Sequence, residues 1–219
     1  MSRAIRLTLV AVATAAAGVL VGFYIVAFLM ATPPTVSSAR YGPAQARVTL
    51  QTVAAIGFGA HPDWVSYLIQ DPQGRWVHST IIQVPAHSLV HVTIYQYDTA
   101  SGLRNPFYSQ VRGTVGGIMY LNGKATRAIE ADDPGHTFAV PDLGLSVPLQ
   151  GVPDDAKNQC QAAPCSTSQA HNTIEFTFRT GAPGSYRWQC FVPCAAGFVF
   201  GNGGPMQTLG YMDGFLKVV

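Results

Sequence analysis

Charged residues are scarce in this sequence, and they form no acidic or basic run. Lys and Arg together number 13, Asp and Glu number 11, and the formal net charge is +2. Without Arg3 and Arg6, eleven basic residues (13 − 2) face eleven acidic ones, so the remainder is formally neutral. Binding that neutralises nucleic-acid phosphates requires a basic surface. We therefore expect no nucleic acid as a partner, and no docking to a basic protein through an acidic run.

Charge is absent from a long N-terminal stretch, Leu7 to Ala31. About 25 apolar or small residues suffice to span a bilayer, whereas the apolar region of a cleavable signal peptide is usually about 7 to 15 residues. Residues 1–31 are thus interpreted as a cytoplasmic N-terminus and a single-pass transmembrane anchor in contact with membrane lipid. A long signal peptide is the alternative. Because Arg3 and Arg6 precede the stretch and the next charge is Arg40, the C-terminal part is expected to be exported, in a periplasmic or extracytoplasmic compartment.

Sequence signals of a hydrolase or a nucleotide-binding protein are also missing. The glycine pairs at 116–117 and 203–204 read as turns, since no strand–glycine–helix unit follows either of them. No serine or aspartate stands in a recognised nucleophile context.

Short runs rich in Val, Ile, Thr and aromatics make up most of the remaining chain. They are separated by Pro, Gly, Asp and Asn, which is typical of an antiparallel β-sandwich or barrel. In "NTIEFTFRT", for example, Ile174, Phe176 and Phe178 share one face. The domains predicted are a linker over 32–39 and an exported domain over 40–219, with insertions near 100–133 and 151–171.

Four stretches in order carry a resemblance to a known family. They are "IIQVPAHSLVHVTIYQYD", "PGHTFAVPDLGLSVPLQG", "IEFTFRTGAPGSYRWQC" and "GYMDGFLKVV". The order resembles the cupredoxin family, most closely the copper-binding domain of subunit II of the haem-copper (cytochrome c) oxidases, from about Val77 onward. The resemblance implies an all-β, cupredoxin-type Greek-key β-sandwich, here preceded by one N-terminal transmembrane helix, whereas many oxidase subunits II have two.

The same resemblance implies copper as the cofactor and a set of metal ligands. In that family two coppers are bridged by the cysteines of a Cys-x-x-x-Cys motif, which Cys190 and Cys194 match. His136 matches the first histidine, and Met212, two residues before Gly214, matches the axial methionine. Met206 is a further candidate thioether ligand.

The second family histidine is missing from the loop after the cysteines. Phe198 stands four residues after Cys194, and Leu209 stands three before Met212. Thiolate and thioether donors suit Cu(I), and imidazole supports Cu(II). A degenerate binuclear site, a mononuclear site and an empty site all remain open.

The remaining cysteines and histidines receive other interpretations. Cys160 and Cys165 lie in a polar, turn-rich segment and are expected to form a disulfide, as is usual in an exported protein. A disulfide between Cys190 and Cys194 is the competing interpretation of that pair, and it excludes a metal bound to thiolates. Three other histidines lie in turn-like polar surroundings and are expected to be solvated: His61, His78 and His171.

The leading functional hypothesis is an electron-transfer protein that resembles oxidase subunit II. It would be a non-catalytic electron-entry subunit whose partners are the other subunits of a membrane respiratory oxidase complex. The alternatives are a copper-free structural or assembly subunit of such a complex, which the missing histidine favours, and a Cu(I) carrier.

Overall fold

The computed structural model describes residues 2–29, 32–42, 44–59, 61, 63–194 and 204–219. Residues up to 32 form one compact unit and residues 33–219 a second. The first unit is α1 (Arg3–Tyr24), which continues into a π-helical turn at Ile25–Leu29 and begins at Ser2, whose hydroxyl accepts from the Ile5 N–H. From Arg3 to Ala27 its mean hydropathy is 2.3. At about 1.5 Å per residue it is long enough to cross the bilayer core. Such a helix serves as a membrane anchor or as a signal sequence.

The second unit is built from short strands. In chain order they are β1 (Thr35–Ser37), β2 (Ala39–Gly42), β3 (Gln45–Val53), β4 (Ser66–Gln70), β5 (Trp76–Val77), β6 (Ile81–Val84), β7 (Leu89–Gln96), β8 (Met119–Leu121), β9 (Lys124–Thr126), β10 (Pro134–Val140), β11 (Leu145–Gln150), β12 (Asn172–Arg179), β13 (Gly184–Gln189) and β14 (Asp213–Val218).

These strands form two sheets that share one core. The first has the order β1-β6-β14-β13-β10-β11, and the second has the order β5-β4-β3-β7-β12-β8-β9, with β2 paired to β3. Side chains of the two sheets meet in the middle: the Phe138 and Phe176 rings lie 5.7 Å apart, and Tyr67 packs edge-on against Trp188 at 4.9 Å. The second sheet supplies part of this core by alternation, because every second residue is buried in β7 and, from Ile174 onward, in β12. The predicted all-β sandwich preceded by an apolar helix is confirmed.

The segment 32–39, which the sequence predicts to be a linker, is partly built into the sandwich. Residues 35–37 form β1, which pairs in parallel with β6, and Val36 is 5% exposed. The linker prediction is wrong for these residues. Their small side chains and the preceding prolines suggested a linker, but β1 hydrogen-bonds to the free edge of β6 and buries the Val36 side chain, and both interactions favour a strand.

The two segments predicted as insertions have different structures. Residues 100–133 contain β8 and β9, which extend the second sheet beyond β12. Residues 151–171 contain the Cys160–Cys165 disulfide, which packs with Val53 and Tyr97 in a small cluster of its own. Gln51 holds this segment to β3, since its side-chain amide accepts from the Cys165 N–H at 2.7 Å.

The position of β14 brings Met212 beside Cys190. It runs between β6 and β13, with Gly214 opposite Trp188. A Cβ atom at Gly214 would lie 2.0 Å from the Thr80 carbonyl oxygen, so only glycine allows β14 to approach this closely. The Met212 carbonyl then accepts from the Cys190 N–H at 2.9 Å.

Candidate metal centre

Three potential metal ligands converge where β10 begins and its antiparallel neighbour β13 ends. Nδ1 of His136 lies 3.0 Å from Sγ of Cys194 and 3.8 Å from Sγ of Cys190. All three ligand atoms lie within 4.8 Å of one another. The group could therefore hold a metal ion, and it joins three of the residues that the sequence predicts as ligands.

Thr137 holds the cysteine segment against β10. Its backbone N–H points at Sγ of Cys190 at 3.4 Å, and its hydroxyl accepts from the Phe191 N–H at 2.8 Å. Its carbonyl accepts from the Tyr67 hydroxyl at 2.9 Å. Thr137 and Cys190 are fully buried, and His136 is 2% exposed. The imidazole and the first sulfur are thus fixed by the core.

The two cysteines are free thiols. Their sulfurs lie 2.8 Å apart, which is longer than the bond of about 2.05 Å in a disulfide. Both sulfurs also approach the carbonyl oxygen of Val192, at 3.3 Å for Cys190 and 2.9 Å for Cys194. A turn at Val192 therefore brings both thiols to one side of the segment, where they can share a ligand.

A fourth residue, Asp98, belongs to this group and was not predicted. Its Oδ2 lies 2.9 Å from Nε2 of His136, while its Oδ1 accepts from the Thr99 N–H at 2.8 Å. It follows β7, a strand of the other sheet, so no local pattern links it to His136. The one sequence signal is an acidic residue two positions after a strand in which apolar residues alternate with polar ones.

The Asp98–His136 contact favours charge on both groups. Burial lowers the pKa of His136, but the hydrogen bond to Asp98 and the interactions with Cys190 outweigh it and raise that pKa to about 9. Burial raises the pKa of Asp98, but the hydrogen bond and charge of His136 hold it below its usual value. At neutral pH, a metal must therefore displace a proton from Nδ1 of His136.

The pKa values of the two thiols are shifted in opposite directions, because a negative charge on one sulfur disfavours ionisation of the other. Burial raises the pKa of Cys190, but the hydrogen bonds from Cys194 and His136 bring it well below the ordinary thiol value. Burial, together with the neighbouring Cys190 thiolate and Asp98, holds the pKa of Cys194 far above that value. Without a metal, these directions favour negative charge on Cys190 and Asp98, positive charge on His136 and a neutral thiol at Cys194.

The predicted methionine ligands belong to the same hydrophobic core as Cys190. Met212 is fully buried in the same core cluster as Cys190 and Trp188. Met206, in a 3₁₀ turn at Pro205–Gln207, is partly buried against that cluster, and its carbonyl accepts from the Gln189 side chain at 2.6 Å. Their role as ligands stays a prediction. Phe198 lies outside the described residues.

Among the described residues, the other histidines are not part of the group formed by His136, Cys190 and Cys194. His87 adopts a positive φ of 48° in a turn, and His91 in β7 contacts the Thr177 hydroxyl at 2.9 Å. The expectation that His78 is solvated is wrong, because it is 8% exposed and stacks with His61 at 4.1 Å between ring centroids.

The donors of this group suit a soft metal. Two thiols and one imidazole are preferred by Cu(I) and Zn²⁺, and hard ions such as Mg²⁺ or Ca²⁺ prefer oxygen donors. Copper therefore fits the residues present. The cysteines and His136 would hold it, and a thioether ligand from Met206 or Met212 would favour Cu(I) over Zn²⁺.

Comparisons with known proteins give similarity at the level of structure. No family model and no curated protein sequence matches the chain. A structure of rusticyanin from Thiobacillus ferrooxidans is 14% identical over 86% of each chain, with a TM-score of 0.34. Another, described as that of a copper protein, is 16% identical over 86% of this chain and 87% of that one, with a TM-score of 0.37.

A third similar structure is the metal-binding domain of the Cu(I)-exporting P-type ATPase CopA of Streptococcus pneumoniae, solved with Cu(I). It is 10% identical over 86% of this chain and 99% of its own, with a TM-score of 0.34. These structural neighbours are cupredoxins.

Proposed function

We propose that this protein is a membrane-anchored, cupredoxin-like copper protein that transfers single electrons. The observation that carries the proposal is one buried imidazole nitrogen 3.0 Å from one of two free sulfurs that lie 2.8 Å apart. Copper, when bound, would supply a one-electron Cu(I)/Cu(II) couple. The chain supplies the donor atoms on the ends of buried strands, and a rigid shell of this kind limits rearrangement between oxidation states.

For the physiological setting, we propose electron entry into a membrane respiratory haem-copper oxidase complex. The order of the motifs around His136, Cys190 and Met212 supports this role, as does an apolar helix that suits a membrane anchor. In the proposed topology the helix crosses the membrane once with Arg3 and Arg6 on the cytoplasmic side. The sandwich then lies outside the cytoplasm.

A Cu(I) carrier is the second candidate. It is favoured by the ratio of donors, two sulfurs to one imidazole among the described residues, because soft sulfur donors stabilise Cu(I). A carrier would release copper to a competing chelator and would not need a stable Cu(II) form.

Metal analysis of the full chain in detergent separates these functions. Reduced protein is loaded with copper, and its copper content, free thiols, visible absorption and electron paramagnetic resonance are measured. Bound copper that shows an intense thiolate-to-Cu(II) absorption on oxidation supports electron transfer. Copper that stays Cu(I) and passes to a chelator supports the carrier, and absence of copper overturns both and favours a structural subunit.

Two variants locate the copper. Cys194→Ser removes one of the clustered thiols and should lower copper content or abolish the visible absorption. The double variant Cys160→Ser/Cys165→Ser removes two sulfurs elsewhere and should leave the copper content and the absorption unchanged. Equal copper content and spectra in all three proteins would exclude the cysteine pair as the site.

A further inference from the structure

Asp98 connects the two sheets at the metal centre. It follows β7 of the second sheet, and its carboxylate reaches His136 on β10 of the first. Both carboxylate oxygens are used, Oδ2 toward Nε2 of His136 at 2.9 Å and Oδ1 by the Thr99 N–H at 2.8 Å. The Asp98 carbonyl accepts from the Val152 N–H at 2.9 Å as well. The carboxylate therefore has a fixed position and direction.

A carboxylate in this position decides which imidazole nitrogen is available to a metal. An ionised carboxylate only accepts hydrogen bonds, so Nε2 of His136 must carry a proton. Nδ1, which faces the sulfurs of Cys190 and Cys194, is then the nitrogen that a metal can take. The ring is buried, which leaves little room for another orientation.

We propose that Asp98 is a positioning residue that selects Nδ1 of His136 as the ligand nitrogen and holds the ring toward the two sulfurs. This inference rests on the proposed function, since it concerns the same copper site. Carboxylates that orient a ligating histidine in this way typically change metal affinity by about 10- to 100-fold.

Three variants of the full chain test the role. Asp98→Leu removes the acceptor, Asp98→Asn keeps an oxygen acceptor without the charge, and Asp63→Asn is the control. Asp63 lines the same cavity of about 720 Å³ as Asp98 and His136, so its replacement removes one charge there without removing the partner of Nε2.

Cu(I) affinity is measured by competition with a chromogenic chelator. We expect the Kd to rise at least about tenfold in Asp98→Leu and less in Asp98→Asn, and to stay within about twofold of wild type in Asp63→Asn. An equal loss in Asp63→Asn and Asp98→Leu would overturn the inference, because it would show a general effect of charge. Unchanged affinity in Asp98→Leu would overturn it as well.

Nuclear magnetic resonance of ¹⁵N-histidine-labelled protein gives a readout that needs no copper. We expect a slowly exchanging Nε2–H signal from His136 in the wild-type apo protein, a shifted one in Asp98→Asn and none in Asp98→Leu. If the signal survives in Asp98→Leu, Asp98 does not hold the ring.

If Asp98→Leu fails to fold, the Asp98→Asn variant provides the test. An unchanged Nε2–H signal and an unchanged Kd in Asp98→Asn would overturn the proposal. A wild-type protein that shows the signal but binds no copper would refute both the proposed function and the selection of Nδ1 as a ligand. In that case the hydrogen bond between Asp98 and His136 would have a structural role only.

Discussion

His78 should make the stability of the sandwich depend on pH, and replacing it by phenylalanine should remove that dependence. The imidazole is 8% exposed, stacks on His61 at 4.1 Å and meets the edge of Tyr211 at 4.8 Å. Burial and the nearby His61 lower the pKa of His78 from 6.5 to about 4. His78→Phe keeps an aromatic ring in this stack and cannot take up a proton.

The direction of the effect follows from the lowered pKa. Between pH 6.5 and about 4 the unfolded chain binds a proton at His78 and the folded chain does not. The contribution of neutral His78 is therefore complete above pH 6.5 and is lost as the pH falls toward 4. This difference in pKa corresponds to about 3 kcal/mol. Because His61 is exposed and solvent screens that side of the ring, we expect about 1–2 kcal/mol.

Urea unfolding of the full chain in detergent, followed by tryptophan fluorescence at pH 7.5, 6, 5 and 4, measures this contribution. Carboxylates titrate in both proteins, so the difference between wild type and His78→Phe isolates His78. We expect wild type to lose about 1–2 kcal/mol more than the variant over this range. Parallel losses in the two proteins would refute the lowered pKa. His61→Gln should show an intermediate loss, since it removes one of the two causes.

Three further substitutions test other parts of the sandwich by the same unfolding measurement. Cys165→Ser opens the short disulfide loop and should cost about 2 kcal/mol, and an unchanged midpoint would show that the loop is ordered without it. Trp188→Phe should cost about 2–3 kcal/mol, because it leaves a cavity and removes the hydrogen bond from the indole N–H to the Thr80 carbonyl at 2.9 Å; a loss below about 1 kcal/mol would contradict that packing. Arg187→Ala should cost about 1–2 kcal/mol, because it leaves the Asp213 carboxylate, 5% exposed, without its ion pair, and Arg187→Lys should lose less if the ion pair is the cause.

Much of the fold could be predicted from patterns within short stretches of the sequence. Alternating burial in β7 and β12 is visible directly in the sequence. His136, Cys190 and Cys194 were grouped because the motifs that contain them occur in a familiar order. Their convergence in space agrees with that grouping.

Features created by distant contacts were not predictable in the same way. Asp98 reaches His136 across 38 positions and from the opposite sheet. His78 is buried by Phe58 and Tyr211, which come from different parts of the chain, and its polar neighbours in sequence suggested the opposite. In each case the partner comes from a distant part of the chain and has no signature near the residue itself.

The central place of β14 also constrains the order of events during synthesis. Its parallel partner β6 lies more than 130 positions earlier, with Phe215 opposite Ile81. Contacts between such distant segments slow folding, because a long loop must close before they form. A nascent chain that has emerged as far as Cys194 therefore still lacks the strand that separates β6 from β13. A chain cut before β14 should therefore be a substrate for proteolysis.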